Sequence, residues 1–241
     1  MLSADVSSII GNNLQEIHRE IADACQRTGR SPQSVRLVAV TKYAEWSWVE
    51  ALSSLHRVFG ENRPQQLAER QSLMPTTEWH LIGQLQRNKV PLICGRTTLI
   101  HSVDSVKLLQ SLADTARARN LVLRILLQVN VSGETSKSGF SARELQDHWT
   151  EILQHSTGLQ IEGLMTLAPE SDDPEQVRPV FHSLAELRDQ LVADRETVRC
   201  GLKLPELSMG MSGDFVTAIE EGATLIRIGS RLFDGLQPAG N

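Results

Sequence analysis

The sequence predicts an α/β protein folded as a (β/α)8 TIM barrel with an extra helix in front of it, and three observations predict this. Eight short apolar runs recur along the chain, segments of helical period separate them, and nearly every run closes on polar residues. The leading helix comes first. Val6, Ile9, Ile10, Leu14, Ile17, Ile21 and Ala24 recur every three or four residues over 6–28, Gly29 closes the pattern and Pro32 follows it. Residues 1–30 are therefore expected to pack as a helix on a single barrel domain spanning 1–241.

The strand-like runs are 37–41, 57–59, 79–82, 98–101, 121–129, 159–165, 206–209 and 224–228. Between them lie segments such as SVKLLQSLADTARARN and DPEQVRPVFHSLAELRDQLVAD, and strands alternating with helices imply parallel pairing through crossovers. Eight such units suit a closed barrel. An open doubly wound sheet is the alternative, but no G-x-G-x-x-G follows the first run. The polar, proline-containing stretch 168–179 reads as a surface loop leading into a helix capped near Asp172 or Asp173.

Composition narrows the function classes. The chain has 241 residues, 40% of them apolar, which supports one substantial core. Its net charge is -5, and no basic block exceeds a pair of residues, so nucleic acid is not an expected partner. Three cysteines, Cys25, Cys94 and Cys200, are odd in number and widely spaced, which predicts neither disulfides nor a zinc cluster and points to a reducing compartment. No apolar run approaches the roughly 18 residues of a membrane span. A soluble, cytoplasmic protein is expected.

In a (β/α)8 barrel, chemistry collects at the carboxyl ends of the strands. The first run closes on Thr41-Lys42, the second on Gly60-Glu61-Asn62-Arg63, the third on Gly83-Gln84 with His80 inside it, and the fourth on His101-Ser102-Val103-Asp104. Lys42 reads either as the first exposed residue after a strand or as a partly desolvated amine, nucleophilic toward carbonyls, that forms a Schiff base. Two Gly/Ser-rich turns, SMGMSGDF (208–215) and RIGSRLF (227–233), follow the seventh and eighth runs, where barrels often hold phosphate. Alternatively, Ser212 and Asp214 cap a helix and Gly229 makes a turn. Arg227, inside the apolar run TLIRIG, needs a partner. Glu61 is one candidate and a cofactor ring nitrogen the other. A reactive lysine on the first strand beside an anion cradle on the last two describes a site for a phosphorylated aldehyde.

The segments VAVTK, FGENR, EWHLIGQLQRNK, QVNVSGETSKSGF, IEGLMTLAP and LSMGMSGDFVTAIEEGATLIRIGSRLFD resemble, in order and spacing, the pyridoxal 5'-phosphate homeostasis protein family. The resemblance runs from about residue 9 to residue 234. It implies the fold of the N-terminal barrel of alanine racemase, a type III-like pyridoxal phosphate fold. It also implies that Lys42 holds pyridoxal phosphate as a Schiff base and that Arg227 faces the pyridine nitrogen. By the same resemblance Ser208, Ser212, Gly229 and Ser230 line the phosphate site, Asn62 and Met209 lie near the ring, and His80 and Asn88-Lys89 belong to a signature segment, with His80 among the cofactor-binding residues. Lys137 matches a loop lysine near the mouth. The Arg63-Pro64 pair departs from the family's usual tyrosine and valine and makes the rim more cationic.

The resemblance further implies a carrier that buffers pyridoxal phosphate for vitamin B6 homeostasis and delivers it to apo-enzymes, as a monomer, without turnover. A racemase needs two bases on opposite faces of the substrate α-carbon. In alanine racemase one of them is a tyrosine from a C-terminal β-domain, which this chain is expected to lack, and Tyr43 is the sole tyrosine here. An arginine at the pyridine nitrogen is also a weak electron sink, because it leaves that nitrogen an acceptor. A low-activity pyridoxal phosphate enzyme such as a racemase and a cofactor-free Schiff-base aldolase are the alternatives.

Overall fold

The computed structural model describes residues 3–134 and 138–237. Its eight parallel strands close a barrel in sequence order: β1 Arg36–Val40, β2 Val58–Glu61, β3 Glu78–Leu81, β4 Leu99–Val103, β5 Leu123–Gln128, β6 Leu159–Met165, β7 Glu206–Ser208 and β8 Leu225–Ile228. All eight predicted runs are strands, with no boundary moved by more than two residues. The closed barrel, not the open sheet, is the fold. Closure is made by β8 pairing with β1, Val38 opposite Arg227.

Helices cover the outside. They are α1 Ser3–Arg27, α2 Trp46–Ser53, α3 Pro64–Leu73, α4 Val90–Ile93, α5 Val106–Ala118, α6 Ala142–Asp147, α7 Trp149–Gln154, α8 Arg178–Ala193, α9 Arg195–Cys200 and α10 Phe215–Glu220. The loop expected at 168–179 ends in a short 3-10 turn, Pro174–Val177, capped by the Asp173 side chain, and α8 follows. None of the described helices is long and apolar enough to cross a membrane.

The leading helix takes the place of an eighth crossover helix. After β8 the described chain makes only a 3-10 turn, Ser230–Phe233, and α1 lies against that turn, α2 and α10. Its periodic face, Ile10, Leu14, Ile17, Ile21 and Ala24, is buried in the layer between barrel and helices. Polar side chains fasten the same contact: Asn13 Nδ2 donates to the carbonyls of Leu232 and Asp234 at 3.2 and 3.0 Å, and Arg231 pairs with Glu20.

Strand alternation divides the side chains into two cores. The outer core lies between barrel and helices. A second, smaller cluster, Val38, Ile82, Leu99, Leu126, Met165 and Leu225, is drawn from the strands and their ends alone and fills the barrel interior. Toward the amino end of that interior, Arg36 pairs with Glu206 at 2.9 Å, and Arg124 with Glu162 through two bonds of 2.5 and 2.8 Å.

Candidate functional site

Lys42 follows Val38 and Val40 on the inward-facing side of β1, so alternation carries it to the carboxyl mouth of the barrel. The turn that holds it is clamped from α3. Arg70 Nη1 donates to the Thr41 carbonyl at 2.7 Å, and its Nη2 donates to the Ala44 carbonyl at 3.0 Å. The same guanidinium pairs with the buried Glu61 carboxylate, which accepts from Thr41 Oγ1 at 2.5 Å. Burial pushes the Glu61 carboxyl up, against the opposing pull of Thr41 and Arg70. Glu61 is thereby committed on the β2–α3 side and is not the partner of Arg227.

The expected desolvation of Lys42 is not met. Its side chain is exposed, with Nζ 5.0 Å from the ring centroid of Tyr43, itself 82% exposed. Thr41, one residue before Lys42, is fully buried, so the chain is enclosed up to the residue that carries the amine.

Arg227 points inward from β8 and is 4% exposed. Nη1 donates to Ser208 Oγ at 2.6 Å and Nη2 to the Thr166 carbonyl at 2.9 Å. No carboxylate forms an ion pair with it among the described residues, and burial pulls its pKa down to about 10, with Asp214 the opposing charge. A guanidinium carries five N–H groups, so acceptor demand remains beyond these two bonds.

The two Gly/Ser turns meet beside β1. Ser212 Oγ accepts from the Gly229 amide at 3.3 Å, and a Cβ at Gly229 would lie 3.4 Å from Val40 Cβ, two residues before Lys42. Gly210, at φ +92°, is pressed onto the start of α10, where a Cβ would meet Ala218 Cβ at 2.6 Å. Asp214 accepts from the Met211 amide at 2.5 Å and makes no side-chain cap on α10, so helix capping does not explain Ser212 or Asp214. Gly213 has no heavy atom within 4 Å of its ideal Cβ, and Ser230 is exposed, which leaves the surface of both turns open.

Three expected site residues are placed differently. Ser208 does not reach the turns; it is fully buried in the interior, between Arg227 and His101. Met209, one residue on, points outward by alternation and belongs to the outer core, fully buried. His80 is 1% exposed and lies two residues before Ile82 on the inward face of β3, enclosed in the interior and not at the rim. Asn62, at the end of β2, is half-buried, and its carbonyl lies 2.3 Å from where a Cβ on Gly83 would stand, so the loops after β2 and β3 touch. Asn88 and Lys89 sit in a 3-10 turn, Arg87–Lys89, without a side-chain bond that ties them to this group. Lys137 lies outside the described residues.

Sequence reading missed Arg70. The available signal was its position three residues after Leu67, on the buried face of α3, where a cation demands acceptors.

The family model for the alanine racemase N-terminal domain matches residues 13–237. The pyridoxal phosphate homeostasis protein of Aquifex aeolicus is 38% identical over 223 residues, covering 91% of this chain and 95% of that one. The chain belongs to the pyridoxal phosphate homeostasis protein family. The Escherichia coli K12 member is 34% identical over 236 residues, 93% of this chain and 95% of its own. The structure of PipY of Synechococcus elongatus with PLP bound superposes at a TM-score of 0.76 with 33% identity, covering 88% of this chain and 99% of PipY. An alanine racemase of Clostridium difficile, 14% identical, superposes at 0.72 over 96% of this chain and 58% of its own, a likeness of fold.

Proposed function

We propose that this protein binds pyridoxal 5'-phosphate at the carboxyl mouth of the barrel and acts as its carrier, buffering the cofactor and handing it to apo-enzymes. The observation that carries the reading is Arg227. It is a buried guanidinium with no ion-paired carboxylate among the described residues, on the strand next to Lys42, and its remaining N–H groups suit a neutral acceptor such as a pyridine nitrogen. When bound, pyridoxal phosphate supplies an aldehyde that condenses with a primary amine with loss of water.

The chain's own residues divide the work. Lys42, exposed beside the turn clamped by Arg70, supplies the amine. Ser212, Gly229 and Ser230, on the two open turns, line the phosphate, the two serines as hydroxyl donors, and the Gly229 amide, which donates to Ser212 Oγ, keeps the turns together. Asn62 faces the ligand from the β2 side. Arg227 stays protonated and holds the ring nitrogen as an acceptor, which disfavours carbanion chemistry and suits storage over turnover.

The exposed lysine keeps exchange with an apo-enzyme open, and the free cysteines Cys25, Cys94 and Cys200 suit a reducing cytoplasm. On this reading the carrier works as a monomer. Borohydride treatment of the pyridoxal phosphate-loaded protein followed by peptide mass mapping tests the assignment: the pyridoxyl group is expected on Lys42, and its appearance mainly on Lys89 or Lys137 overturns it.

A further inference from the structure

Four buried polar side chains stand in line through the barrel interior. Arg227 Nη1 donates to Ser208 Oγ at 2.6 Å, Ser208 Oγ lies 2.8 Å from His101 Nδ1, and His101 Nε2 lies 3.0 Å from His80 Nδ1. The far end, His80 Nε2, is the one buried side-chain polar atom without a hydrogen-bond partner among the described residues. Glu78 Oε2 stands 4.0 Å from it.

Counting protons gives this line a direction. A guanidinium only donates, so the Ser208 oxygen accepts from it. The serine proton then goes to His101 Nδ1; if His101 donated from Nδ1 instead, that proton would have no acceptor among the described residues. With Nδ1 accepting, His101 carries its proton on Nε2 and donates to His80 Nδ1, which places the His80 proton on Nε2. The Glu78 carboxylate favours a proton at that position and would repel a lone pair.

The direction requires both rings to be neutral. Burial first, then Arg36 and Arg124, push His80 down to about 3. Burial first, then His80, Arg227 and Arg36, hold His101 well below the usual histidine range. A protonated His101 would donate from Nδ1 and turn the serine hydroxyl around.

We infer that His101 and His80 are positioning residues for Arg227, a one-way hydrogen-bond chain that holds the Ser208 lone pair on Nη1 and keeps the remaining guanidinium N–H groups free for a bound acceptor. The inference rests on the proposed role of Arg227 toward a pyridine nitrogen. Within it, the histidine of the signature segment holds the residue that meets the cofactor and does not meet the cofactor itself.

The test has two parts. Histidine-selective 15N labelling and NMR of the ligand-free protein should show both rings as Nε2–H tautomers at neutral pH; an Nδ1–H tautomer or an imidazolium at either ring overturns the chain. The second part compares His101→Gln, whose amide accepts from Ser208 and donates to His80, with His101→Leu, which does neither. His101→Leu should weaken pyridoxal phosphate binding about tenfold and shift the absorption band of the loaded protein, while His101→Gln stays within about twofold of the parent. Arg227→Gln is the control. If Arg227→Gln leaves binding unchanged, the proposed cofactor site fails; if Arg227→Gln weakens it and His101→Leu matches the parent in affinity and spectrum, the positioning role alone fails.

Discussion

Acidification from pH 7 to pH 5 should destabilise this protein chiefly through histidines that the barrel keeps neutral. Take His101 alone. In the unfolded chain it titrates near 6.5, whereas in the barrel burial holds it well below that value. Between those limits the unfolded state binds a proton that the native state does not, so stability rises with pH and is lost as pH falls. Integrated from pH 7 to pH 5, the loss is about 2 kcal/mol for one such histidine. His80, pushed down to about 3, contributes in the same sense and by a similar amount. His56, lowered first by burial, adds to it. Glu61, Asp104 and Asp214 are all raised by burial; in the fold they take up protons before the unfolded chain does, which opposes the loss. Comparing two proteins removes these shared contributions. Urea unfolding followed by circular dichroism at pH 7, 6 and 5 should show His101→Gln losing about 2 kcal/mol less than the parent across the window. Equal losses in the two proteins would refute the reasoning, because His101 would then titrate alike in the folded and unfolded states.

Three further outcomes follow from the site. Arg70→Met leaves Glu61 buried without its cation and should cost about 3–5 kcal/mol in urea unfolding, part of which Glu61→Gln in the same chain restores. Ser212→Ala should weaken pyridoxal phosphate roughly ten- to a hundredfold while changing pyridoxal affinity little, measured by fluorescence titration, because hydrogen bonds to a charged acceptor are worth about 1.5–3 kcal/mol. Gly210→Ala combines a left-handed backbone with a 2.6 Å contact to Ala218, so thermal unfolding should come several degrees lower and phosphate-dependent binding should fall with it.

The barrel was legible because its signal is repeated eight times: apolar runs of strand length, separated by helical periods, tolerate errors of a residue or two at each boundary. Lys42 and Arg227 stood out as candidates for another reason, since each is a cation at or inside an apolar run, and Ser212 and Gly229 stood out through the Gly/Ser-rich turns that hold them. Less legible was direction. Ser208 and Met209 are neighbours, and which one faces the interior depends on strand register, so one lines the interior and the other lies in the outer core. The partner of Arg227 also depends on register: Glu61 is a reasonable carboxylate for it on sequence grounds, but Arg70, contributed by α3, occupies that carboxylate. The hydrogen-bond chain through His80 and His101 joins four separate strands, and no spacing within one segment announces such a contact.

The placement of α1 sets an order of events during synthesis. Its apolar face is covered by α2 and α10 and by the turn that follows β8, and Asn13 bonds to Leu232 across a sequence separation of 219 residues. This helix emerges before every strand of the barrel and therefore has no complete resting place until nearly the whole described chain has followed it. Contacts of such long range are made late and slow folding. Until then Ile10, Ile17 and Ile21 are a nascent-chain hazard, open to chaperones and to other copies of the same chain.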